Sequence, residues 1–123
     1  MAVEAIFYQE EDGTCPVIEF FSTRPAQAQA RARAHIEVLK EFGHTLRRPY
    51  AENLGHGLYE LRMRLGRVQY RILYFFHGQT AVVLAHALTK EAQIPQADLT
   101  RALHRKALFE TNPEKYTFRG PTL

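Results

Sequence analysis

Five side chains in the middle of the sequence carry the functional groups that cleavage of RNA without a metal requires. They are Glu60, Arg62, Arg71, His86 and Lys90. The reaction needs a base to take the proton from the ribose 2′-OH, cations to stabilise the phosphorane charge, and an acid to protonate the leaving 5′ oxygen. Glu60 or His86 could be the base, Arg62 and Arg71 could hold the phosphate, and His86 or Lys90 could supply the acid. The alternative is that His86 is a hydrogen-bonded strand histidine and that the arginines only bind phosphate.

A predicted β-hairpin brings the two arginines together. Residues 58–76 alternate between apolar and polar side chains on either side of the Gly66-Arg67 pair. This pattern is typical of two half-buried strands joined by a two-residue turn. In this register Arg62 lies directly across from Arg71. Like charges in opposed positions are unfavourable by up to roughly 1 kcal/mol, so we expect an anion beside them.

The third strand of the same meander is predicted at residues 80–88. A two-residue turn within residues 77–79 keeps His86 on the face of Arg71, either opposite it or one pair away. Lys90 continues that side just beyond the strand. A three-residue loop would flip the strand and remove His86 from this face.

The remaining elements should cover one side of the sheet. A strand at residues 3–8 precedes a short helix from Pro16 and a longer helix from Pro25 to Phe42, and a last helix runs from Pro95 to about Glu110. This order indicates an α+β fold with a small antiparallel sheet and the two N-terminal helices packed on one face. The covered face consists of Tyr59, Leu61, Met63, Val68, Tyr70, Ile72 and Tyr74. We expect the opposite face, with the arginines and the histidine, to be open.

Length and composition predict a single domain over residues 1–110, followed by a flexible tail at residues 111–123. The 123 residues contain no run as long as a membrane span and no secretory signal, so a cytoplasmic protein with no membrane partner is expected. The lone Cys15 excludes an intramolecular disulfide and a cysteine metal cluster. No glycine-rich phosphate loop, zinc-ligand spacing or nucleophile elbow occurs, so we expect no metal and no cofactor.

Basic residues are concentrated around the predicted hairpin. The net charge is +3, and the chain has twelve arginines against four lysines, a preference that suits planar recognition of phosphate. A solvated basic face is the commoner reason for such a bias. The candidate RNA- or phosphate-binding residues are Arg47, Arg48, Arg62, Arg64, Arg71 and Lys90.

Three blocks of the sequence resemble the RelE/ParE toxin superfamily, and within it the phage-derived, HigB-like branch. The blocks are GLYELR at residues 57–62, YRILYF at residues 70–75, and HALTK at residues 86–90, followed by Pro95 and a helix with Ala102 and Arg105. The resemblance extends from Val3 to about Phe109. It implies a small antiparallel sheet with two N-terminal helices, in agreement with the order of the predicted elements.

The resemblance also implies a function. Such proteins are type II toxins that cut mRNA in the ribosomal A site, and an antitoxin encoded alongside, here expected to be a helix-turn-helix protein, neutralises them. It places the family's phosphate-binding arginine on Arg71, its polar strand residues on Glu60 and Arg62, and its basic residue after the last strand on Lys90. Relatives often have two lysines at that point, whereas Glu91 follows Lys90 here, which weakens the anion site.

Two other functions are compatible with the sequence. ParE-like relatives resemble this fold but poison DNA gyrase without cutting RNA, and a phage-derived domain could bind RNA without cleaving it. The row of Arg62, Arg71 and His86 favours the ribosome-dependent endoribonuclease, because a poison that binds protein needs no imidazole among phosphate ligands.

Overall fold

A five-stranded sheet forms the centre of the molecule. The structure is a computed structural model that describes residues 2–123. The strands are β1 (Glu4–Phe7), β2 (Ala51–Gly55), β3 (Leu58–Leu65), β4 (Val68–His77) and β5 (Ala81–Lys90). They lie in the order β1-β5-β4-β3-β2, with β1 parallel to β5 and the other neighbours antiparallel. The predicted α+β fold, with an N-terminal strand and a three-strand meander, is confirmed.

Two features of the sheet differ from the prediction. The parallel pairing of β1 makes the sheet mixed rather than wholly antiparallel. In addition, the connector before the hairpin contains β2, which extends the sheet by one strand. Of the five residues of β2 only Ala51 is buried, so hydrophobic periodicity gives no signal for this strand.

Two helices cover one face of the sheet, as predicted. They are α1 (Pro16–Ser22) and α2 (Ala26–Phe42), and a short 3-10 turn at Gly43–Thr45 follows α2. The core on this side joins residues of both helices to alternate residues of the strands: Val17, Phe21, Ala28, Ala32, Ile36, Leu39, Leu61, Met63, Tyr70, Ile72 and Tyr74. Val68 is the exception to the predicted covered face, because it lies beside the β3–β4 turn and is 43% exposed.

The third helix, α3 (Gln96–Thr111), corrects the expectation of an open second face. It packs over part of that face and encloses a second core of Leu58, Leu73, Phe75, Val83, Ala85, Leu88, Ala102 and Phe109. The apolar run ILYFF at residues 72–76 explains this cover, because a strand without polar alternation is buried on both sides. No helix within residues 2–123 has both the length and the apolar character needed to cross a membrane.

Residues 112–123, which follow α3 and make up nearly all of the tail predicted at residues 111–123, lie beside β1. Tyr116 is buried and stacks on Tyr8, with the ring centroids 5.6 Å apart. The backbone N–H of Phe118 donates to the carbonyl of Phe7 at 2.8 Å, and that of Gln9 donates to Tyr116 at 2.9 Å. Aromatic packing of Tyr116 and these backbone hydrogen bonds connect the segment to the sheet without any periodic pattern in its sequence.

The loop between β4 and β5 is one residue longer than predicted. Its three residues, 78–80, are closed by the pairing of His77 with Ala81. By itself, a loop of this length turns the side chains of β5 to the opposite face, His86 included.

A β-bulge in β5 reverses this effect. Ala85 is an extra residue between the β5 partners of Leu73 and Tyr74. His86 therefore stays on the predicted face. It lies opposite Leu73, whereas the prediction placed it opposite Arg71 or near Gln69.

Candidate functional site

Arg62 and Arg71 are direct cross-strand neighbours, as the hairpin register predicts. The anion expected between them is a side chain of the protein itself. Glu60 Oε1 lies 2.6 Å from Arg71 Nε, 3.8 Å from Arg62 Nε and 3.6 Å from Lys90 Nζ. Three cations thus surround one carboxylate. The opposed arginines do not by themselves require an external ligand.

The closest of these ion pairs is buried inside the protein. The side chains of Glu60 and Arg71 are 2% and 3% exposed. Arg71 also donates from Nη1 to the carbonyl of Tyr70 at 2.9 Å and from Nη2 to Gln69 Oε1 at 2.8 Å. The expectation that Arg71 lies on an open surface is therefore wrong, because its neighbours bury it and three of its donors already have acceptors.

A more exposed layer surrounds this pair. Arg62 and Lys90 have side chains 31% and 15% exposed. Arg62 Nη1 lies 3.9 Å from Glu52 Oε2, and Arg48 forms an ion pair with the same carboxylate. We refer to Arg48, Glu52, Glu60, Arg62, Arg71 and Lys90 as the sheet network. Its four cations and two carboxylates leave a formal excess of two positive charges.

The charges around Glu52, the outer carboxylate of the sheet network, favour its ionised form. The hydrogen bond from Arg48 is the main cause that lowers the pKa of Glu52, and the charges of Arg62 and Lys90 act in the same direction. The same bond raises the pKa of Arg48. The outer carboxylate therefore stays charged and tied to arginine across the ordinary pH range.

The two other predicted phosphate ligands lie at the margin of the network. Arg47 is exposed, and its Nη1 donates to the carbonyls of His44 and Leu46. Arg64 is also exposed, and its Nε donates to the carbonyl of Gly66 at 2.9 Å. Arg64 borders a groove that Arg62 and Arg71 also line, whereas Arg47 does not.

His86 belongs to a separate cluster beneath α3. Its Nε2 lies 2.6 Å from Asp98 Oδ1, and Arg105 Nη1 donates to its Nδ1 at 2.8 Å. Arg105 also donates to the carbonyl of Ala85 at 2.9 Å and from Nε to Glu10 Oε1 at 2.8 Å. We refer to Glu10, His86, Asp98 and Arg105 as the His86 cluster.

The partners of His86 determine its protonation. A guanidinium only donates hydrogen bonds, so Nδ1 must accept, and the ring proton resides on Nε2 and is donated to Asp98. Burial is the main cause that lowers the pKa of His86, and the charge of Arg105 adds to it, while the hydrogen bond to Asp98 raises it. The imidazole is neutral, and both of its nitrogens are occupied.

The predicted convergence of His86 with Arg62 and Arg71 is therefore not found. Leu88, rather than His86, is the partner of Arg71 across the strands, and it is buried under α3. Burial is the main cause that lowers the pKa of His86, and the cation that adds to it is Arg105 rather than Arg62 or Arg71. Both observations agree with a hydrogen-bonded strand histidine.

The same change of register that places His86 away from Arg71 brings Lys90 closer to the sheet network. The longer loop and the bulge bring it into β5 opposite Gln69, whereas it was expected just beyond the strand. Lys90 thereby becomes a partner of Glu60. The sheet network consequently gains a cation that the predicted register kept at a distance.

Sequence reasoning missed three residues on the far side of the groove. Arg31 and His35 of α2 and Tyr50 before β2 line it together with residues of β3 and β4. Their signal was weak, since Arg31 lies off the apolar stripe of its helix and Tyr50 lies in a segment without periodicity. Within residues 2–123, no three His, Cys, Asp or Glu side chains are grouped so that they could hold a metal ion.

The fold and the sheet network define a small α+β protein with a cationic site suited to an anionic ligand. The chain belongs to the family described as phage-derived protein Gp49-like (DUF891), whose sequence model matches residues 19–107. This is a RelE-like toxin family, so the resemblance to the RelE/ParE superfamily is confirmed at that level, and membership is compatible with a toxin of a toxin-antitoxin system. The matched segment contains the whole sheet network and every member of the His86 cluster except Glu10. No curated protein matches the chain.

Proposed function

We propose that this chain is the toxin of a type II toxin-antitoxin system, of the HigB-like branch, and that it cleaves mRNA on the ribosome. It acts in the cytoplasm, where its target lies. The observation that carries the proposal is the positive excess of the sheet network, together with the partial exposure of Arg62 and Lys90. A phosphodiester carries one negative charge, which this surplus complements.

Arg62 and Lys90 are the residues proposed to hold the scissile phosphate. Each lies within 4 Å of the same oxygen of Glu60, and each retains access to solvent. A phosphate between them would lie next to that carboxylate. Arg71, which is buried and bound to Glu60 at 2.6 Å, is a positioning residue that fixes the direction of the carboxylate.

Glu60 is the proposed base, through its Oε2 atom. Its side chain is only 2% exposed, but its three ion pairs all involve Oε1, and no hydrogen bond among the described residues involves Oε2. Of the two candidates from the sequence, His86 already uses both ring nitrogens in hydrogen bonds. Glu60 takes the proton of the 2′-OH, the 2′ oxygen forms a bond to phosphorus, and the bond from phosphorus to the 5′ oxygen breaks. Lys90 supplies a proton to that 5′ oxygen, and the cations stabilise the phosphorane. The products are a 2′,3′-cyclic phosphate and a 5′-hydroxyl end, with no net change in atoms or electrons.

The proposed protein partner is an antitoxin. A helix-turn-helix protein encoded by the neighbouring gene would neutralise the toxin with an acidic or amphipathic segment placed over the cationic surface or the helices. Sequencing of the adjoining reading frame tests this directly. A neighbour with no such protein, and no rescue of growth when it is co-expressed, would contradict the pairing.

Mapping of transcript ends after brief induction tests the cleavage. We expect new ends within translated codons, and these ends should need 5′ phosphorylation before ligation because they carry a hydroxyl. Intact mRNA with blocked replication would indicate a gyrase poison instead, and neither effect would indicate a non-catalytic RNA-binding domain. For substitutions of Arg62 and Arg71, Arg33→Ala is a suitable control, because Arg33 is exposed on α2 and lines a different groove.

A further inference from the structure

A groove of about 440 Å³ continues from the sheet network towards α2. Arg62 and Arg71 line its sheet side, and Arg31 and His35 line its helix side. Tyr50 stands at its rim, in the segment between the helices and β2. Since Arg62 and Arg71 belong to both features, a chain bound at the network would extend into this groove.

The charge of the groove favours an anion. Four arginines are among its lining residues, Arg31, Arg62, Arg64 and Arg71, and no Asp or Glu is. Arg31 donates a hydrogen bond to the carbonyl of Arg64, so its side chain reaches across from the helix to the strand. Arg31 and Arg64 are exposed, and none of the ion pairs formed by described residues involves either of them.

An aromatic surface lies beside these charges. Tyr50 is 44% exposed, which is high for a large aromatic residue. Its ring centroid is 6.1 Å from that of His35, with the two planes inclined by 55°. Exposed aromatic rings next to a positively charged groove are the arrangement on which single-stranded nucleic acids stack their bases.

We propose that this groove binds the nucleotide adjacent to the scissile phosphate of single-stranded RNA. The base stacks on Tyr50 beside His35, and Arg31 and Arg64 bind the flanking phosphate. This subsite rests on the proposed function, because it extends the same RNA from the sheet network. RNA is favoured over an acidic peptide because every nucleotide carries both a phosphate for the arginines and an aromatic base to stack on Tyr50, whereas an acidic side chain has no aromatic ring.

Binding of an uncleavable RNA tests the subsite without any turnover. The probe is a fluorescent 2′-O-methyl oligoribonucleotide, followed by anisotropy at low salt. Tyr50→Ala should weaken binding about tenfold, which lies within the range for loss of one stacked base. Tyr50→Phe keeps the ring and should bind as the wild type does. Phe42→Ala is the control, since Phe42 is equally exposed, at 46%, but does not line the groove.

The arginine arm of the experiment compares two residues of one helix. Arg31→Ala should weaken binding about fourfold at low salt, the scale of one exposed charge close to a phosphate. Arg33→Ala should leave the affinity unchanged. Equal effects of the two substitutions would mean that only the overall charge of α2 matters, which would overturn a defined phosphate position.

The outcomes separate this subsite from the proposed cleavage. Unchanged RNA affinity of a folded Tyr50→Ala variant, or no binding by the wild type, overturns the subsite even if transcripts are cut in cells. Tyr50-dependent binding with uncut transcripts supports the subsite and contradicts the nuclease. Loss of antitoxin binding by Tyr50→Ala, with full RNA affinity, would assign the groove to a protein partner instead.

Discussion

The sheet network and the His86 cluster lie on one face of the same sheet, yet they differ in charge and cover. The network has four cations for two carboxylates and retains partly exposed cations. The His86 cluster has one cation, Arg105, for two carboxylates, and its imidazole is neutral. The first has positive charge left for a ligand, and the second has none.

The position of α3 explains the difference. Asp98 and Arg105 extend from this helix onto the strand that carries His86, and they occupy both of its nitrogens. The end of the face with Arg62 and Lys90 has no such partners from α3 among the described contacts. Residues with catalytic functional groups therefore share a face without sharing a site.

Removal of Arg71 should have the largest effect on stability. Arg71→Ala leaves the buried Glu60 without its nearest partner, and loss of one member of a buried ion pair costs about 3 kcal/mol or more. Arg62→Ala is the matched variant on the opposite strand, and it should cost less than about 1 kcal/mol because Arg62 is partly exposed. Urea unfolding measures both. Similar costs for the two variants would show that Glu60 does not depend on Arg71.

Cleavage should distinguish the two ends of the face. Arg62→Ala should lower the rate of transcript cleavage about 100-fold, the scale of one lost electrostatic contact to a transition state. His86→Gln should leave the rate per folded molecule unchanged, because both ring nitrogens of His86 are already hydrogen-bonded to Asp98 and Arg105 of α3. The measurement is the fraction of a reporter transcript cut over time, corrected for soluble protein. Loss of cleavage in His86→Gln would restore His86 to the site.

The smallest expected effect is the contribution of His86 to the pH dependence of the free energy of unfolding. The folded protein lowers the pKa of His86 below the value of 6.5 for a free histidine, so the unfolded chain binds its proton more readily. The stabilisation that neutral His86 provides is therefore complete above pH 6.5, and it decreases as the pH falls below this value. The wild type should exceed His86→Gln by about 1 kcal/mol near pH 8, the typical value of a net hydrogen bond, and by less near pH 5.5. A difference that stays constant or grows towards acid would contradict this environment for His86.

Local patterns were sufficient to predict the hairpin and the helices. The alternation on both sides of Gly66-Arg67 fixed the pairing of Arg62 with Arg71, and the structure has that pairing. The stop of α2 before Gly43 and the apolar side of α2 also follow from residue spacing.

The register of β5 could not be predicted, because two irregularities act in succession. The three-residue loop flips the strand and the bulge at Ala85 flips it back, so His86 kept its predicted face at a different position. Neither feature has a compositional signature in residues 78–85. The cover by α3 was foreseeable from Leu73 and Phe75, apolar residues on the side assigned to solvent.

The contacts of Glu60 with the surrounding cations could be recognised only from the three-dimensional structure. The opposed arginines correctly predicted an anion, but sequence gives no means of choosing between a ligand and a neighbouring carboxylate. Glu60 is one pair away along β3, and only the side-chain conformations show that it reaches Arg71 and Lys90.

RNA is proposed to bind at the Arg62 and Lys90 end of the sheet face and not at His86. An NMR titration of the labelled protein with an uncleavable oligoribonucleotide tests it most directly. The guanidinium Nε–H of Arg62 and the amides around Lys90 should shift on addition of RNA, while the Nε2–H of His86 should stay in place. Shifts centred on His86 and Asp98, with Arg62 unaffected, would contradict the account.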